Sequence, residues 1–392
     1  MKKLAAILIT LILLGVLPAC QATATPAPPP PTATSTRTPI PAIPTATATI
    51  TPIPALNSLN NPPLLSFKMF APADGWGLVA NQLLLTHNGG QNWFSVPLPG
   101  GQVDQNTSAF FRDTRTLLVL LPAADSQSGQ LYSSINGGGT WQITAVPFGH
   151  GQLTYSDGVA YFLQTRQTGA NSMLSSFYRS NDGGLTWNKI LTGSSGETGN
   201  NSLPEAGLKT GLSFISSEIG WLGMAAQPGK VLLYKTQNGG QVWTAQDLQA
   251  PQNISSLTTN SLPPVFFPGD NKSGLLPVDF ISQATGDKNR VFYTTTDSGI
   301  NWWPGGSVID GGAFTFVDPK NGWVWGKHGL YFTNDAAQTW QLLPVAFGRS
   351  EQATMISFVD TRNGWIVTAD AKNRVRLYNT TDGGHTWIAI NP

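Results

Sequence analysis

Four aspartates recur in one local setting. Asp182, Asp297, Asp335 and Asp382 each stand two residues after a Ser or Thr and five before a Trp. Matched carboxylates raise the question of calcium, which takes roughly six to eight oxygens converging on one point. The equivalent positions of three further copies hold Asn88, Asn136 and Asn238, which carry no charge. The pattern therefore argues against a metal, and no metal or cofactor is expected. Hydrolysis is the other chemistry to test. It needs paired carboxylates, or a tyrosine nucleophile activated by a base, with arginines where the substrate is acidic. Glu occurs only at Glu197, Glu205, Glu218 and Glu351. Arginines are available at Arg112, Arg115, Arg166, Arg179, Arg290, Arg349, Arg362, Arg374 and Arg376, but in no common motif. No P-loop, dinucleotide fingerprint or zinc spacing occurs. Cys20 is the only cysteine, which excludes an intramolecular disulfide and a multi-cysteine metal site.

The aspartates belong to an octet: Ser/Thr, any, Asp/Asn, any, Gly, any, any, Trp. It occurs at Asn88-Gly90-Trp93, Asn136-Gly138-Trp141, Asp182-Gly184-Trp187, Asn238-Gly240-Trp243, Asp297-Gly299-Trp302 and Asp382-Gly384-Trp387. A degenerate seventh copy, Asp335 to Trp340, has Ala337 for the glycine. Each residue type has a task in a tight hairpin. The Asp or Asn side chain accepts backbone N–H bonds. Glycine supplies φ > 0, and Trp opens the return strand and packs back on the sheet. The Ala337 hairpin is expected to differ from the others, since Ala tolerates φ > 0 poorly.

A second element precedes several octets. It is a short strand, a turn and a strand opening with Gly-Trp, at Trp76, Trp221, Trp323 and Trp365. Together the two elements give four strands per unit, at octet Trp-to-Trp intervals of 38 to 59 residues. Four-stranded units at such spacing are propeller blades. The expected fold is all-β, a seven-bladed β-propeller of four-stranded antiparallel blades. The expected blades are 64–98, 107–147, 150–192, 208–248, 262–308, 311–345 and 353–392. The second, third and fifth show no Gly-Trp element. Closure is expected to rest on packing between the first and last units.

The ends of the chain read differently. Lys2 and Lys3 precede an apolar run from Leu4 to Leu17 that is too short to span a bilayer comfortably. It ends Leu17-Pro18-Ala19-Cys20, similar to the lipobox of bacterial lipoproteins. That resemblance implies cleavage before Cys20, acylation of its thiol and amine, and a stable lipid anchor. Residues 1–19 are then a signal peptide and 20–63 a linker. Gln21 to Ala55 holds ten Pro and ten Thr and a single charge, Arg37. Such a segment has little to bury and is expected to be a disordered spacer. The body is expected at 64–392, exported and held on the outer face of the bacterial cytoplasmic membrane or on another extracytoplasmic membrane surface. Net charge is +1, and about −1 without Lys2 and Lys3, so no nucleic-acid partner is expected.

The octets resemble the Asp-box, or BNR, repeat. The combined unit, closest at Ser357 to Trp387, is similar to the photosystem II stability and assembly factor family of seven-bladed propellers. That resemblance implies a non-enzymatic, membrane-tethered scaffold that binds a protein partner, such as a membrane-protein assembly intermediate. A monomer is expected. The alternatives are a glycan-binding or sialidase-like propeller and a structural surface lipoprotein. Sialidases share the repeat, but no Phe/Tyr-Arg-Ile-Pro segment opens this domain. Partner contacts are expected on the loops between inner strands, which carry Asp74, Lys320, Asn321, Arg362 and Asn363 without an obvious structural task. Lys320 and Arg362 are the charges expected to matter first.

Overall fold

The structure is a computed structural model. It describes residues 58–392 except 170–171, 194–201, 204–207, 227–228, 247, 250, 252–256, 346, 348–350 and 392. Cys20, the expected signal peptide and the linker up to residue 57 lie outside the described residues, as does Arg349. The described chain is all-β, and no helix among the described residues is long and apolar enough to cross a membrane.

The strands form six antiparallel sheets among the described residues. Sheet 1 holds β1 (Ser58–Leu59), β2 (Ser66–Met69), β3 (Gly75–Val79), β4 (Gln82–Thr86) and β5 (Trp93–Val96). Sheet 2 holds β6 (Ser108–Phe111), β7 (Leu117–Pro122), β8 (Gly129–Ser134) and β9 (Gln142–Val146). Sheet 3 holds β10 (Gly151–Ser156), β11 (Val159–Gly169), β12 (Ser172–Ser180) and β13 (Asn188–Gly193). Sheet 4 has nine strands. Its first half is β14 (Leu208–Phe214), β15 (Gly220–Ala226), β16 (Leu233–Thr236) and β17 (Thr244–Gln246). Its second half is β18 (Leu257–Ser261), β19 (Val265–Phe267), β20 (Asp270–Ser282), β21 (Lys288–Thr295) and β22 (Trp303–Ile309). Sheet 5 holds β23 (Phe314–Phe316), β24 (Gly322–Gly326), β25 (Gly329–Thr333) and β26 (Gln341–Leu342). Sheet 6 holds β27 (Gln352–Phe358), β28 (Gly364–Ala369), β29 (Val375–Thr380) and β30 (Ile388–Ala389).

Apolar residues on both sides of these strands are buried between consecutive strand groups. Trp76 and Leu83 of sheet 1 share a cluster with Leu117 and Tyr132 of sheet 2. Leu118 and Leu131 pack with Phe162 and Tyr178 of sheet 3. The sequence continues through Tyr161 with Phe214, Trp221 with Tyr293, Phe292 with Val324, and Trp323 with Phe358. The last cluster joins Trp365 and Leu377 of sheet 6 to Leu84 and Trp93 of sheet 1. The Met69 amide also donates to the Ser357 hydroxyl at 3.2 Å. The ring thus closes by packing between its first and last sheets, with no sheet shared across the seam.

Two boundaries differ from the sequence reading. β1 pairs with β5 although Ser58 and Leu59 fall in the stretch 20–63 read as linker. β18 lies within Gln249 to Leu262, read as a loop, and ahead of the unit assigned to 262–308. Its polar run, Thr258-Thr259-Asn260-Ser261, lacks the alternation of a half-buried strand, and Pro263 and Pro264 follow at once. Proline cannot donate to the ladder, so the edge strand is broken: β18 and β19 both pair with the long β20. β18 also bridges to β15, which is what fuses the two halves of sheet 4.

Candidate binding face

Every octet is the turn between the third and fourth strands of its group, and its hydrogen bonds repeat. The Ser or Thr hydroxyl accepts the amide four residues on at 2.7–3.1 Å. It donates to the Asp or Asn oxygen two residues on. That same oxygen accepts an amide four residues further at 2.9 Å in all seven copies. In the Asp copies a second oxygen accepts from Thr186, Asn301, Thr339 or Thr386 at 2.6–2.7 Å. Thr186, through its hydroxyl and amide, brings the Asp182 pKa down to about 2. At Asp382 desolvation opposes the shift, but the bonds from Thr386 and Thr380 outweigh it and the value is again about 2. All these donors lie within single turns, so the octet aspartates stay apart. No group of three or more His, Cys, Asp or Glu able to hold a metal occurs among the described residues.

The octet tryptophans are less uniformly packed than expected. Trp93 and Trp302 are buried, whereas Trp141, Trp187, Trp243, Trp340 and Trp387 are half-buried. The Gly-Trp tryptophans are the deeper ones, and their indole N–H groups find partners. Trp365 donates to the Gly89 carbonyl at 2.8 Å and Trp323 to Gly383 at 2.9 Å. Trp76 donates to the Asp113 carbonyl at 3.2 Å. In these three cases the bond crosses to the next group around the ring. The units without Gly-Trp fill the same register position with Leu118, Tyr161 and Leu275, opposite Ser133, Arg179 and Thr294. Tyr161 even keeps the bond, donating to the Ser217 carbonyl at 2.7 Å.

The expectation that the Ala337 hairpin differs is wrong. Ala336 and Ala337 both take φ of 60°, and the Ala337 amide donates to Thr333 at 3.1 Å as in the other copies. Ala337 is fully buried beside Leu275 and Phe292. The packing and the two aspartate-anchored ends of the turn hold the backbone where glycine would otherwise be needed.

The loops between the first and second strands sit at the octet end. In five octets a turn amide donates to a carbonyl of that loop, Ala73, Arg115, Glu218, Lys320 or Arg362, and in a sixth to Lys272 at the start of β20. These loops are themselves Asx or hydroxyl turns. Asp318 accepts the amides of Lys320 and Asn321 and the Asn321 side chain, and Asp360 does the same for Arg362 and Asn363. Asp74 accepts from His87 at 2.6 Å. Asn321, Asn363 and Asp74 therefore have structural tasks, contrary to the sequence reading. The side chains of Lys320 and Arg362 have none. Both are exposed on neighbouring sheets at the same end, and neither takes part in an ion pair among the described residues.

Other charged residues among the described ones are engaged in local contacts. Arg290 is spent on a buried, two-pronged pair with Asp279 at 2.7 and 2.9 Å. Arg374 pairs with Asp370 at the opposite end. Tyr378 donates to Glu351 at 2.9 Å, and Thr368 donates to the same carboxylate at 2.7 Å, with Arg376 at 3.4 Å from its other oxygen. This Tyr–Glu pair is buried. Burial pushes the Tyr378 phenol up, and the Glu351 carboxylate adds to that shift. A nucleophilic tyrosine needs the opposite shift. The sequence offered no sign of this cluster, because Glu351 and Tyr378 meet only through the sheet 6 register.

No protein-family model and no curated protein matches the chain. Solved structures do. One described as "YCF48 bound to D1 peptide" superposes with a TM-score of 0.51 at 16% identity, covering 83% of this chain and 94% of that one. YCF48 from Cyanidioschyzon merolae matches with a TM-score of 0.44 at 20% identity, over 76% and 88% of the two chains. A polysaccharide lyase of family PL25, an ulvan lyase, gives 0.49 at 11% identity, over 85% and 95%. The described body is a β-propeller.

Proposed function

We propose that this chain is a lipid-anchored, extracytoplasmic scaffold that binds a protein partner through the octet end of a seven-bladed propeller. The blade count takes the two halves of sheet 4 as separate blades joined by the β15–β18 ladder; each half carries its own octet. The observation that carries the binding reading is the pair Lys320 and Arg362. Two exposed cations, with no ion pair among the described residues, stand on neighbouring loops whose backbone amides donate to Asp318 and Asp360. Rigid scaffolds place recognition on such loops, and free charges on a fixed frame steer partners and set register. The YCF48 structure carries a bound D1 peptide, so a propeller of this general build can take a peptide. The sealed Tyr378–Glu351 pair favours a binding role over hydrolysis. Asp-box repeats and the lipobox-like Cys20 complete the reading.

The test is affinity capture from native membranes with the intact chain. Lys320→Glu/Arg362→Glu should weaken recovery of a recurring protein partner by roughly tenfold. The melting temperature should move by less than about 2 °C, because exposed substitutions away from structural contacts cost little. Unchanged capture, or equal loss from substitutions at the opposite end, rejects the site. Cys20→Ser tests the anchor separately: the protein should leave the membrane fraction and keep its melting temperature. Retention on membranes at high salt rejects lipidation as the anchor.

A further inference from the structure

Between sheets 2 and 3 lies a cleft of about 350 Å³ that runs from Tyr178 and Lys189, beside octet 3, to the Asp125 turn at the opposite end. Three groups able to carry positive charge line it: Arg166 near the far end of β11, Lys189 on β13 and His150 on the link between β9 and β10. The cleft is built rather than incidental. Its floor is Tyr178, which is buried, with its hydroxyl donating to the Pro147 carbonyl at 3.0 Å and so tying sheet 3 to the chain leaving sheet 2. The Lys189 ammonium lies 5.4 Å from the centre of the Tyr178 ring, which holds it at the cleft by a cation–π contact. Pleat alternation puts Ser176 on the same side of β12 as Tyr178, where it supplies a hydroxyl.

The charge balance is one-sided. Arg166 and Lys189 form no ion pair among the described residues. The cleft has one carboxylate, Asp125, and its own turn occupies it: the Gln127 and Ser128 amides and the Ser128 hydroxyl all donate to one of its oxygens. In a chain with 11% charged residues and net charge +1, two cations in one polar cleft with no ion pair among the described residues need an explanation. We propose that this cleft binds an oxyanion, a carboxylate or a sulfate or phosphate ester, carried on a small hydroxyl-bearing molecule. Arg166 presents a planar donor fork matched to such groups. Lys189 supplies a fixed point charge, and the space beyond them exceeds a bare tetrahedral ion. The site lies between sheets 2 and 3, whereas Lys320 and Arg362 stand on loops of sheets 5 and 6, so it stands or falls independently of the partner face.

The test is calorimetric titration of the full chain at low salt with sodium sulfate, sodium phosphate, sodium glucuronate and, as the uncharged control, glucose. At least one anion should bind saturably below about 50 mM, and added salt should weaken it. Arg166→Gln/Lys189→Gln should lose affinity by roughly tenfold or more, with an unchanged melting temperature. Lys320→Gln/Arg362→Gln should bind as the parent does. Tighter binding of glucuronate than of the inorganic ions identifies an anionic sugar, and equal binding identifies the oxyanion alone. Failure of every anion to bind overturns the inference. So does glucose binding as well as glucuronate, or full affinity in the Arg166/Lys189 variant.

Discussion

Two neighbouring joints of the ring are built from the same parts in opposite sizes. Where the first half of sheet 4 meets octet 5, the second-strand residue is Trp221 and the turn residue is Gly299. Where the second half meets the degenerate octet, the pair is Leu275 and Ala337. The two turn residues have nearly the same backbone, φ of 62° and 60°. A Cβ on Gly299 would lie 2.6 Å from the Trp221 ring and 2.9 Å from Trp302, closer than packing permits. Beside the smaller Leu275 there is room for the methyl group of Ala337. Gly299 thus has two separable tasks: it relieves the backbone, and it makes room for Trp221 of the preceding unit. At the degenerate octet Ala337 fills that space beside the smaller Leu275.

That separation can be broken by exchange. Gly299→Ala should destabilise the protein by about 2–5 kcal/mol in denaturant titration, the sum of left-handed strain and overpacking. In a Trp221→Leu background, which imitates the Leu275 joint, the same substitution should cost less by at least about 1 kcal/mol, because the clash with Trp221 is gone while the strain and the contact with Trp302 remain. Additive costs would sink the account, since residues in contact should couple.

A smaller effect tests the wedge itself. Tyr161→Phe keeps the ring and removes the bond to Ser217, so a loss of about 1 kcal/mol is expected. Burial raises the Tyr161 pKa from 10.0 to about 12. Its neutral form is therefore favoured by folding, and the stability it contributes is present below pH 10.0 and lost as pH rises through about 12. The alkaline fall in stability should be shallower in the Phe variant. Parallel curves would place the titration elsewhere.

The smallest effect distinguishes Asp from Asn octets. Asp182 and Asp382 have folded values of about 2 against an ordinary 3.8. Lowered values mean stability that is complete above the ordinary value and lost as pH falls from about 3.8 to about 2. Because both groups are exposed, solvent screening keeps the effect small. Asp382→Asn should flatten the acid limb slightly, whereas Asn136→Asp should steepen it. Identical acid limbs in all three proteins would show that the turns do not carry the acid response.

The octets were legible because each residue's task lies within eight positions of chain. The Gly-Trp elements were legible where Trp and Gly stood together, and illegible where Leu118, Tyr161 and Leu275 took the same place. Only register shows that Tyr161 and Trp76 do similar work, for tyrosine in a strand has many ordinary uses. The broken edge of β18 and β19 was hidden because its polar face and following prolines read as loop. Lys320 and Arg362 were singled out for their loop position alone, and the asparagines beside them proved to be turn formers. Arg166, Lys189 and His150 belong to different elements and share no motif, so nothing in their spacing could have grouped them.

The pairing of β1 with the outer edge of sheet 1 also decides how the body meets mechanical load. Any pull on the chain preceding Ser58 enters the propeller at β1, which is two residues long. Its ladder to β5 and the side-chain bond from Asn92 to Asn60, 2.9 Å, stand first in line. The seam lies deeper, fastened by the cluster of Trp93, Trp365 and Leu377. A short outer strap held by few bonds thus stands in series with a broad apolar seam, and residues 58 to 61 are the first part of the described chain that a pull from the N-terminal side would load.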